Sequence, residues 1–478
     1  MIRRGRTGLA LAAASLLTIC VALGSWNPPP AAPGDAGQAS RPKSGTAGQQ
    51  TACRRTLVGV AHPDDDLLFI NPEIMNTIRA GCSVTAVYLT AGDGDEEIPQ
   101  EVKNYVVNRE NGVRKAYAEM AGVENKWMLE QVTADGRRLR SFRLAGRGAG
   151  SDVRLTFVGL YDGRPHGLEP ESLLRLFDGN RKAITPAQGG RSYSEEQLLS
   201  VLSSLARLAQ AERILTLDHD NASFAAGMGG RVDHSDHGIT ARYFRQVAYR
   251  TGIPLTSYLG YTMARLKRNL TPAQESGKEN IVRWYIAYSE CPRENVCGPK
   301  GIYKGAFPGT YRHWVQRQYT QTHRAPRPGE IMGDIGRTTM FGTRAPEQCL
   351  DVKGASWTAG LVQIADCNGS DTQKWDAGND GTIRTRLNGN YCLTASGRDV
   401  KVEACQVARA EQKWQRVPWE SATWKRTAWK IVGARNRCLY QNDRSLPRWN
   451  RNEWKNPRLG LAGCDRPVQP ELYWQWGL

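Results

Sequence analysis

The sequence is short of the features that mark membrane-embedded and nucleic-acid-binding proteins. Its apolar run from Leu9 to Gly24 is shorter than the about 20 residues that a membrane-spanning helix needs. It contains no recognised nucleic-acid-binding motif, so we expect no nucleic-acid partner. Acidic residues are also few, because 47 of them face 64 basic residues and leave a formal net charge of +17. Such a surface attracts polyanions, including acidic lipid and anionic wall polymer, but it indicates no particular chemistry.

The N-terminus has the pattern of an export signal. Three arginines among the first six residues precede the apolar run, and three prolines at 28–30 end any helix. We predict a signal peptide over residues 1–30 and a secreted protein with no membrane span in its mature form. A retained anchor helix is the alternative. Residues 31–52, rich in Pro, Gly, Ala, Ser and Gln, predict a disordered linker.

Export makes the cysteine count informative. The chain has 11 cysteines, and removal of the signal segment with Cys20 leaves an even number for disulfides in an oxidising compartment. Sequence alone leaves their connectivity open, and we expect pairing in chain order. The expected pairs are Cys53–Cys82, Cys291–Cys297, Cys349–Cys367, Cys392–Cys405 and Cys438–Cys464.

Two regions with different sequence patterns follow the linker. Over residues 53–335, short apolar runs alternate with helical patterns, which predicts an α/β domain with a parallel sheet. Ligands of such sheets bind at the carboxyl ends of the strands. The predicted strands are 57–61, 83–90, 154–160 and 213–217, and the predicted helices are 108–121 and 195–211.

Residues 337–478 contain a weak threefold repeat. Each copy has Cys-Leu, a second cysteine and then a tryptophan, which predicts three copies of one unit around a pseudo-axis. We expect the tryptophans to fill the shared core. The copies run from Cys349-Leu350-Asp351 to Gln373-Lys374-Trp375, from Cys392-Leu393-Thr394 to Gln412-Lys413-Trp414, and from Cys438-Leu439-Tyr440 to Tyr473-Trp474.

Two clusters of histidine and aspartate suggest a metal site. His62-Pro63-Asp64-Asp65-Asp66 follows the first predicted strand, and Asp233-His234-Ser235-Asp236-His237 comes much later, although the chain has only seven histidines. Catalytic zinc uses three His or carboxylate ligands and leaves a fourth position for water. A neighbouring carboxylate then serves as base, and a further histidine stabilises the developing charge. Fe, Co or Mn also fit such a ligand set.

These clusters resemble the PIG-L/LmbE-type de-N-acetylases, enzymes that deacetylate GlcNAc-phosphatidylinositol, GlcNAc-inositol in mycothiol synthesis and glycopeptide-antibiotic sugars. The resemblance covers roughly residues 54–260 and implies a Rossmann-like (LmbE-like) catalytic domain with a parallel-rich sheet. The segments that carry it are Val60–Asp66, Leu89–Asp93 and Asp233–His237.

The same resemblance implies roles for individual residues. Arg109 lies near a family arginine that contacts substrate. Gly112 stands where many members carry Glu, and Asp66 replaces the commoner Glu, so we expect altered hydrogen bonding around the site. The implied set consists of the zinc ligands His62, Asp65 and His237, the general base Asp64, and His234, which stabilises the tetrahedral intermediate.

The threefold repeat resembles the ricin B-type lectin, a carbohydrate-binding β-trefoil. In that family an Asp after Cys-Leu binds sugar hydroxyls beside an aromatic platform. Only the first repeat keeps the Asp, as Asp351, and Ala365 takes the platform position. Gln363 and Gln373 remain as polar partners, so Asp351 and Gln373 are the candidate sugar-binding residues. A purely structural trefoil is the alternative.

Together these features predict a secreted zinc-dependent hydrolase that removes the N-acetyl group from an N-acetylglucosamine-type sugar or glycoconjugate. Its expected partners are the N-acetylated glycan and, through the trefoil, a polysaccharide or cell wall. The alternative is a carbohydrate-binding protein with an inactive hydrolase fold. The intact clusters argue against that alternative.

Overall fold

The computed structural model describes residues 53–94, 99–221, 224, 232–289, 301–307, 309–333, 335, 347–358, 360–421, 426–442, 458–466 and 469–478. The predicted signal peptide over 1–30, the linker over 31–52, and Cys291 and Cys297 lie outside these residues. Within the described part of the chain, no helix combines the length and apolarity needed to cross a membrane.

The first region is an α/β domain. Its strands are β1 (Thr56–Val60), β2 (Val84–Thr90), β3 (Trp127–Ala134), β4 (Arg137–Leu144), β5 (Val153–Leu160), β6 (Ala183–Ile184), β7 (Tyr193–Ser194), β8 (Arg213–Leu217) and β9 (Leu255–Tyr258). Its helices are α1 (Glu73–Arg79), α2 (Pro99–Ala121), α3 (Leu173–Phe177), α4 (Glu195–Leu208), α5 (Ser235–Thr251), α6 (Pro272–Ser289) and α7 (Gly309–Val315).

Seven of these strands form one sheet in the order β3-β4-β5-β2-β1-β8-β9. The strands from β5 to β9 in this order pair in parallel, as predicted. The hairpin of β3 and β4 is antiparallel and was not predicted. Its turn residues Asp135 and Gly136 have φ values of 47° and 71°, the left-handed pair that a two-residue hairpin turn requires. The fold is therefore Rossmann-like with an antiparallel edge.

Helices cover both faces of the sheet, so strand residues are buried on both sides. In β1, Val58 and Val60 pack into one apolar core and Leu57 into the other. Helix α4 begins at a capping box in which the hydroxyl of Ser194 and the amide of Gln197 satisfy each other's backbone N–H groups. This layering leaves the carboxyl ends of the parallel strands as the place where polar side chains collect.

The second region is all-β and antiparallel, which confirms the β-trefoil prediction. Its first sheet has the order β12-β11-β10-β21-β18-β19-β20, with β17 paired to β18, and its second has the order β13-β14-β15-β16. The strands are β10 (Ile331–Gly333), β11 (Gln348–Val352), β12 (Val362–Asp366), β13 (Trp375–Ala377), β14 (Ile383–Thr385), β15 (Tyr391–Ser396), β16 (Asp399–Ala404), β17 (Gln415–Ser421), β18 (Arg426–Gly433), β19 (Arg437–Asn442), β20 (Arg458–Gly463) and β21 (Trp474–Trp476).

The three repeats share one internal pattern. Each tryptophan donates its indole N–H to the carbonyl of the leucine that follows the first cysteine: Trp375 to Leu350 at 2.9 Å, Trp414 to Leu393 at 2.8 Å, and Trp474 to Leu439 at 3.1 Å. The three rings are buried in one core, as predicted. Disulfides close each repeat and the start of the α/β domain, at Cys53–Cys82, Cys349–Cys367, Cys392–Cys405 and Cys438–Cys464.

Aromatic stacking joins the trefoil to the α/β domain. Tyr249 on α5 stacks on Trp419 with ring centroids 4.8 Å apart, and Trp419 also contacts Tyr473 at 4.4 Å. Tyr249 packs with buried trefoil residues that include Leu472. The trefoil therefore docks on the C-terminal part of the helix whose N-terminus carries the second histidine cluster.

Candidate metal centre

The two predicted clusters meet at the carboxyl edge of the sheet. His62 and its aspartates follow β1 and enter a single π-helical turn at Asp66–Ile70. His234 caps α5, since its Nδ1 accepts the N–H of Asp236 at 3.2 Å, and this places His237 one turn inside the helix. Asp162 arrives from the loop after β5. All of these side chains are at least nine-tenths buried.

His62, Asp65 and His237 form a compact triangle of ligand atoms. His62 Nδ1 lies 3.2 Å from His237 Nε2, and His237 Nε2 lies 2.9 Å from Asp65 Oδ1. The other oxygen of Asp65, Oδ2, lies 3.4 Å from His62 Nδ1. Ligands about 2.0–2.1 Å from a tetrahedral zinc ion stand roughly 3.3 Å apart, so these separations fit one ion.

Neighbouring groups orient the triangle. Asp233 Oδ1 lies 2.7 Å from His237 Nδ1, which directs the other ring nitrogen towards Asp65. Asp65 Oδ2 accepts the backbone N–H of His62 at 2.7 Å. Metal-binding histidines usually have such a carboxylate on the nitrogen that faces away from the ion, so the donor set and its support both fit a divalent metal.

A second grouping shares His62. Its Nε2 lies 3.3 Å from Asp162 Oδ2 and 3.5 Å from Asp236 Oδ2, and His234 Nε2 lies 3.5 Å from Asp162 Oδ1. These four residues also satisfy the spacing of a cation site. Neither Asp162 nor Asp236 was predicted from the sequence to have a role at the site. Asp162 follows a predicted strand, which is the one signal that would have placed it at this edge.

The carboxylates make the centre favour added positive charge. Burial opposes ionisation of His62, but Asp65 and Asp162 outweigh it and hold the pKa of this imidazole well above its ordinary value. Burial likewise opposes the charge on His237, yet Asp65 and Asp233 raise its pKa to about 9. Two buried imidazoles that attract protons in this way lie in a field that also suits a metal cation.

Asp64 lines the same cavity as His62 and Asp65 and pairs with Arg109. Arg109 Nη2 donates to Asp64 Oδ1 at 2.8 Å, its Nε to the hydroxyl of Tyr285 at 2.9 Å, and its Nη1 to the carbonyl of Gly92 at 2.8 Å. Three anchors hold this guanidinium, so in the structure Arg109 orients Asp64. Its predicted contact with substrate stays a prediction.

Gly112 explains how Tyr285 reaches Arg109. A Cβ at position 112 would lie 2.8 Å from both the ring and the carbonyl oxygen of Tyr285. A larger residue would separate α2 from α6 at this point. The departure from Glu noted in the sequence therefore permits close helix packing beside the site.

Asp66 serves the scaffold. Its Oδ2 accepts hydrogen bonds from the hydroxyls of Tyr88 and Tyr117 at 2.7 and 2.6 Å. Burial raises the pKa of Asp66 to about 7 against these hydrogen bonds. The shorter side chain thus still binds both tyrosine hydroxyls through Oδ2, whereas its buried Oδ1 has no hydrogen-bond partner among the described residues.

A cavity of about 330 Å³ opens over these groups. Its walls combine the polar residues of the centre with a group of aromatic rings that were not predicted from the sequence and are contributed mainly by the later helices. The lining residues are His62, Asp64, Asp65, Leu68, Phe69, Tyr105, Arg109, Asp162, His234, Tyr261, Tyr285, Ser289, Tyr311 and Trp314.

The polar segment after β8 lies elsewhere. Asp218, His219 and Asp220 are buried but do not line this cavity. His219 Nδ1 lies 2.6 Å from the hydroxyl of Ser257, and Asp220 Oδ2 lies 2.7 Å from His323 Nε2. These contacts fasten the strand end to the segment that leads into the trefoil.

The candidate sugar residues of the trefoil differ in accessibility. Asp351 is 6% exposed, and its Oδ2 accepts from Gln363 at 2.8 Å. Gln373 has no exposed surface: its amide donates to the carbonyl of Asp366 and accepts the N–H of Asn368. Backbone groups thus occupy both the donor and the acceptor of the Gln373 amide, so Gln373 is not included in the proposed sugar site.

The fold defines the class, a Rossmann-like α/β domain joined to a β-trefoil, and two family models match parts of the chain. Residues 57–248 match the family model of the GlcNAc-PI de-N-acetylases, PIG-L, and residues 337–445 match the ricin-type beta-trefoil lectin domain. The N-terminal region is therefore similar to the PIG-L de-N-acetylases, and the region after it is similar to the ricin-type lectin domain. No curated protein matches the chain significantly.

Solved structures resemble each region. The A40926 pseudoaglycone deacetylase Dbv21 aligns with 51% of this chain and 87% of its own at 13% identity and a TM-score of 0.29. The C-half of an earthworm R-type lectin in complex with GalNAc aligns with 31% and 96% at 15% identity and a TM-score of 0.22. The β-trefoil lectin of the Vibrio vulnificus hemolysin/cytolysin, bound to N-acetyl-D-lactosamine, aligns with 26% and 82% at 23% identity and a TM-score of 0.19.

Proposed function

We propose that the protein is a secreted, zinc-dependent hydrolase that removes the N-acetyl group from an N-acetylglucosamine-type sugar or glycoconjugate. The observation that carries the proposal is the triangle of His62, Asp65 and His237 beside the carboxylate of Asp64, at one cavity in a domain of the de-N-acetylase family. The four disulfides and the lectin domain support an extracellular location.

The three ligand residues would hold the ion through two imidazole nitrogens and one carboxylate oxygen. Zinc at this position would lower the pKa of water to near 7 and polarise the acetyl carbonyl. The remaining tasks are to accept a proton from the attacking water, to stabilise the developing oxyanion and to protonate the leaving amine. We assign these tasks to side chains at the cavity.

Asp64 is the proposed general base. Its carboxylate lines the cavity, and Arg109 holds one oxygen at 2.8 Å, which leaves the other for water. The water oxygen forms a bond to the acetyl carbon while Asp64 accepts its proton. When the C–N bond breaks, Asp64 returns that proton to the sugar nitrogen, so the products are acetate and a free amine.

His234 is the proposed donor to the oxyanion. Burial lowers the pKa of His234 well below its ordinary value, so the ring is neutral at neutral pH. Its Nδ1 accepts the N–H of Asp236, which places the ring proton on Nε2, the nitrogen near Asp162. An N–H with a fixed direction in a buried cavity can stabilise charge that develops on the acetyl oxygen.

The trefoil is proposed to bind carbohydrate, with Asp351 as its candidate contact in the first repeat. Its role would be to hold the enzyme near a polysaccharide or cell wall. An inactive hydrolase domain carried by a lectin is the alternative function. That alternative predicts glycan binding without acetate release.

Acetate release from a panel of N-acetylated glycans tests the proposal. The full mature chain should release acetate, lose the activity in chelator, and regain it with added zinc. Asp64→Asn should reduce kcat by about 100-fold to 10,000-fold while it still binds zinc. Release that persists in chelator would contradict the metal role, and glycan binding with no release by wild type would favour the lectin alternative.

A further inference from the structure

A second cleft lies beside the catalytic cavity. It has a volume of about 600 Å³ and shares no lining residue with that cavity. Helix α2 separates the two: Tyr105 and Arg109 face the cavity, whereas the next residues along the helix, Val106 and Glu110, face the cleft. The two sites therefore lie on adjacent faces of one helix, about 100° apart around its axis.

Four arginines and one glutamate line the cleft. The glutamate, Glu110, is buried and paired with Arg140. Arg137 is held by neutral groups: it donates to the carbonyls of Arg191 and Ser192 at 3.1 and 2.7 Å, and its guanidinium lies 4.6 Å from the centre of the Tyr193 ring. None of these neutral contacts cancels its charge.

The other two arginines, Arg138 and Arg191, are exposed at the cleft. Within the residues that the structure describes, neither side chain forms an ion pair. The cleft therefore keeps an excess of three positive charges after the Arg140–Glu110 pair is counted. Such an excess in a concave surface concentrates the potential and attracts an oxyanion, to which guanidinium groups bind with two parallel hydrogen bonds.

The rim of the cleft is open to a ligand. Four of its lining residues are glycines, Gly136, Gly159, Gly189 and Gly190. A Cβ added at any of these four positions would meet no atom within 4 Å. The space next to these glycines is therefore free of other atoms and leaves room for a polar ligand.

We propose that this basic cleft binds an anionic group of the substrate glycan, a carboxylate or phosphate attached next to the N-acetylated sugar. The inference rests on the proposed function, because it identifies the substrate class of the same enzyme. A sugar whose acetamide enters the catalytic cavity would extend its neighbouring group across α2 to the arginines. The net charge of +17 agrees with an anionic glycan and has no role in the hydrolysis itself.

The test compares three substrates on the zinc-loaded full chain: neutral N-acetylchitotetraose, hyaluronan tetrasaccharide, which alternates N-acetylglucosamine with glucuronate, and N-acetylglucosamine 1-phosphate. The variant is Arg138→Ala with Arg191→Ala. The matched control is Arg79→Ala with Arg207→Ala, which removes two exposed arginines from α1 and α4. The readout is the ratio of KM for each anionic substrate to KM for chitotetraose.

The cleft variant should raise this ratio about tenfold for at least one anionic substrate, the loss expected for about one charge-assisted hydrogen bond. The control should leave the ratio within twofold. A rise for hyaluronan alone identifies a carboxylate ligand, and a rise for the phosphate alone identifies a phosphate. An unchanged ratio for both overturns the inference.

A binding measurement separates this inference from the proposed function. If wild type releases no acetate from any substrate, the proposed function fails, and calorimetry of the same ligands with the Asp64→Asn protein still tests the cleft. Weaker binding of the anionic ligands alone in the cleft variant supports the inference, and equal binding overturns it. Competition by single-stranded oligothymidylate that exceeds competition by hyaluronan would also overturn it, in favour of a nucleic-acid site.

Discussion

The α/β domain and the trefoil both contain buried polar side chains from recognisable motifs, but they use them differently. In the α/β domain, His62, Asp64 and His234 face a cavity, and they lie close to other charged groups. In the trefoil, the amides of Gln373 and Gln412 bond to backbone carbonyls at 2.9 and 3.0 Å. A motif that faces a cavity is available for chemistry, whereas one bonded to its own backbone stabilises the fold.

This difference has an energetic consequence. Buried charges lose their hydration, and their mutual attraction recovers little of that free energy. A cluster such as the candidate metal centre therefore lowers the stability of the fold when no ion is bound. The trefoil tryptophans combine large buried area with a satisfied indole N–H, which contributes stability. Substitutions in the two regions should therefore separate activity from stability.

The largest effect is expected at the metal centre. His237→Ala removes one of the three proposed ligands, so acetate release should fall by about 1,000-fold or more and bound zinc should be lost. The free energy of unfolding of the chelator-treated protein should fall by about 3 kcal/mol or more, because Asp65 and Asp233 lose the imidazole that lies between them. Activity assays, metal analysis and denaturant unfolding measure the three quantities.

His313→Ala is the matched control, because His313 is exposed on α7. It should retain zinc and activity. If His237→Ala retained stoichiometric zinc, the proposed ligand set would be wrong, and the second grouping around His62, Asp162 and Asp236 would become the candidate.

In the trefoil, a core substitution should lower stability and leave acetate release nearly unchanged. Trp414 is 6% exposed and donates to the carbonyl of Leu393, so Trp414→Ala should destabilise the protein by about 4 kcal/mol. Calorimetric unfolding would measure this loss. Release of acetate from a monosaccharide at 25 °C should change less than twofold, because the ring lies in the trefoil core.

Val407→Ala, which truncates an exposed trefoil side chain, should change neither quantity. A large fall in monosaccharide turnover in Trp414→Ala, measured where the protein is still folded, would show that the trefoil core supports the catalytic cavity. The contrast between the two regions would then fail.

The sequence predicted most of the centre and little of its surroundings, for a physical reason. His62, Asp65 and His237 belong to short segments whose residue types already suit a metal. Tyr285 and Trp314 reach the cavity from α6 and α7, where no spacing distinguishes a wall residue from a core residue. Long-range packing decides such positions, and a single sequence does not encode it in any local pattern.

The same limit applied to the sheet. The parallel strands were predicted from apolar runs, because a strand buried on both faces is apolar throughout. The hairpin of β3 and β4 has alternating exposure and many arginines, so it lacked such a run. Its signal was the Asp135-Gly136 turn, which favours a two-residue hairpin connection.

A third substitution tests how closely packing and chemistry are coupled in the α/β domain. Gly112→Ala would push the ring and carbonyl of Tyr285 from α2, so we expect about 3 kcal/mol of destabilisation. Because Tyr285 accepts from Arg109, which holds Asp64, kcat should also fall. Unfolding measurements and steady-state kinetics report the two effects.

Gly277→Ala on α6 provides the control. Its added Cβ would meet the flexible end of Met75 at 3.3 Å, so stability should change by less than about 1 kcal/mol. A Gly112→Ala protein as stable and as active as wild type would show that the helices can separate without moving Asp64.

The smallest effect concerns a buried carboxyl beside the centre. Burial raises the pKa of Asp93 to about 6, and the charges of Asp162 and Asp236 add to the shift, although Asp93 accepts the backbone N–H of Asp162. The folded chain therefore binds a proton more tightly at Asp93 than the unfolded chain does. Stability from this group is present at low pH and is lost as the pH rises through about 6.

Asp93→Asn keeps the carbonyl acceptor and removes the titration. The variant should gain stability relative to wild type as the pH rises. The difference between its free energy of unfolding and that of wild type should be about 1–2 kcal/mol larger at pH 8 than at pH 5, measured on chelator-treated protein. Asp135→Asn, at the exposed hairpin turn, should show no such pH-dependent difference. If the stability difference between Asp93→Asn and wild type were also independent of pH, ionisation of Asp93 would cost the folded protein no free energy. The buried charges around the centre would then destabilise the α/β domain less than we infer.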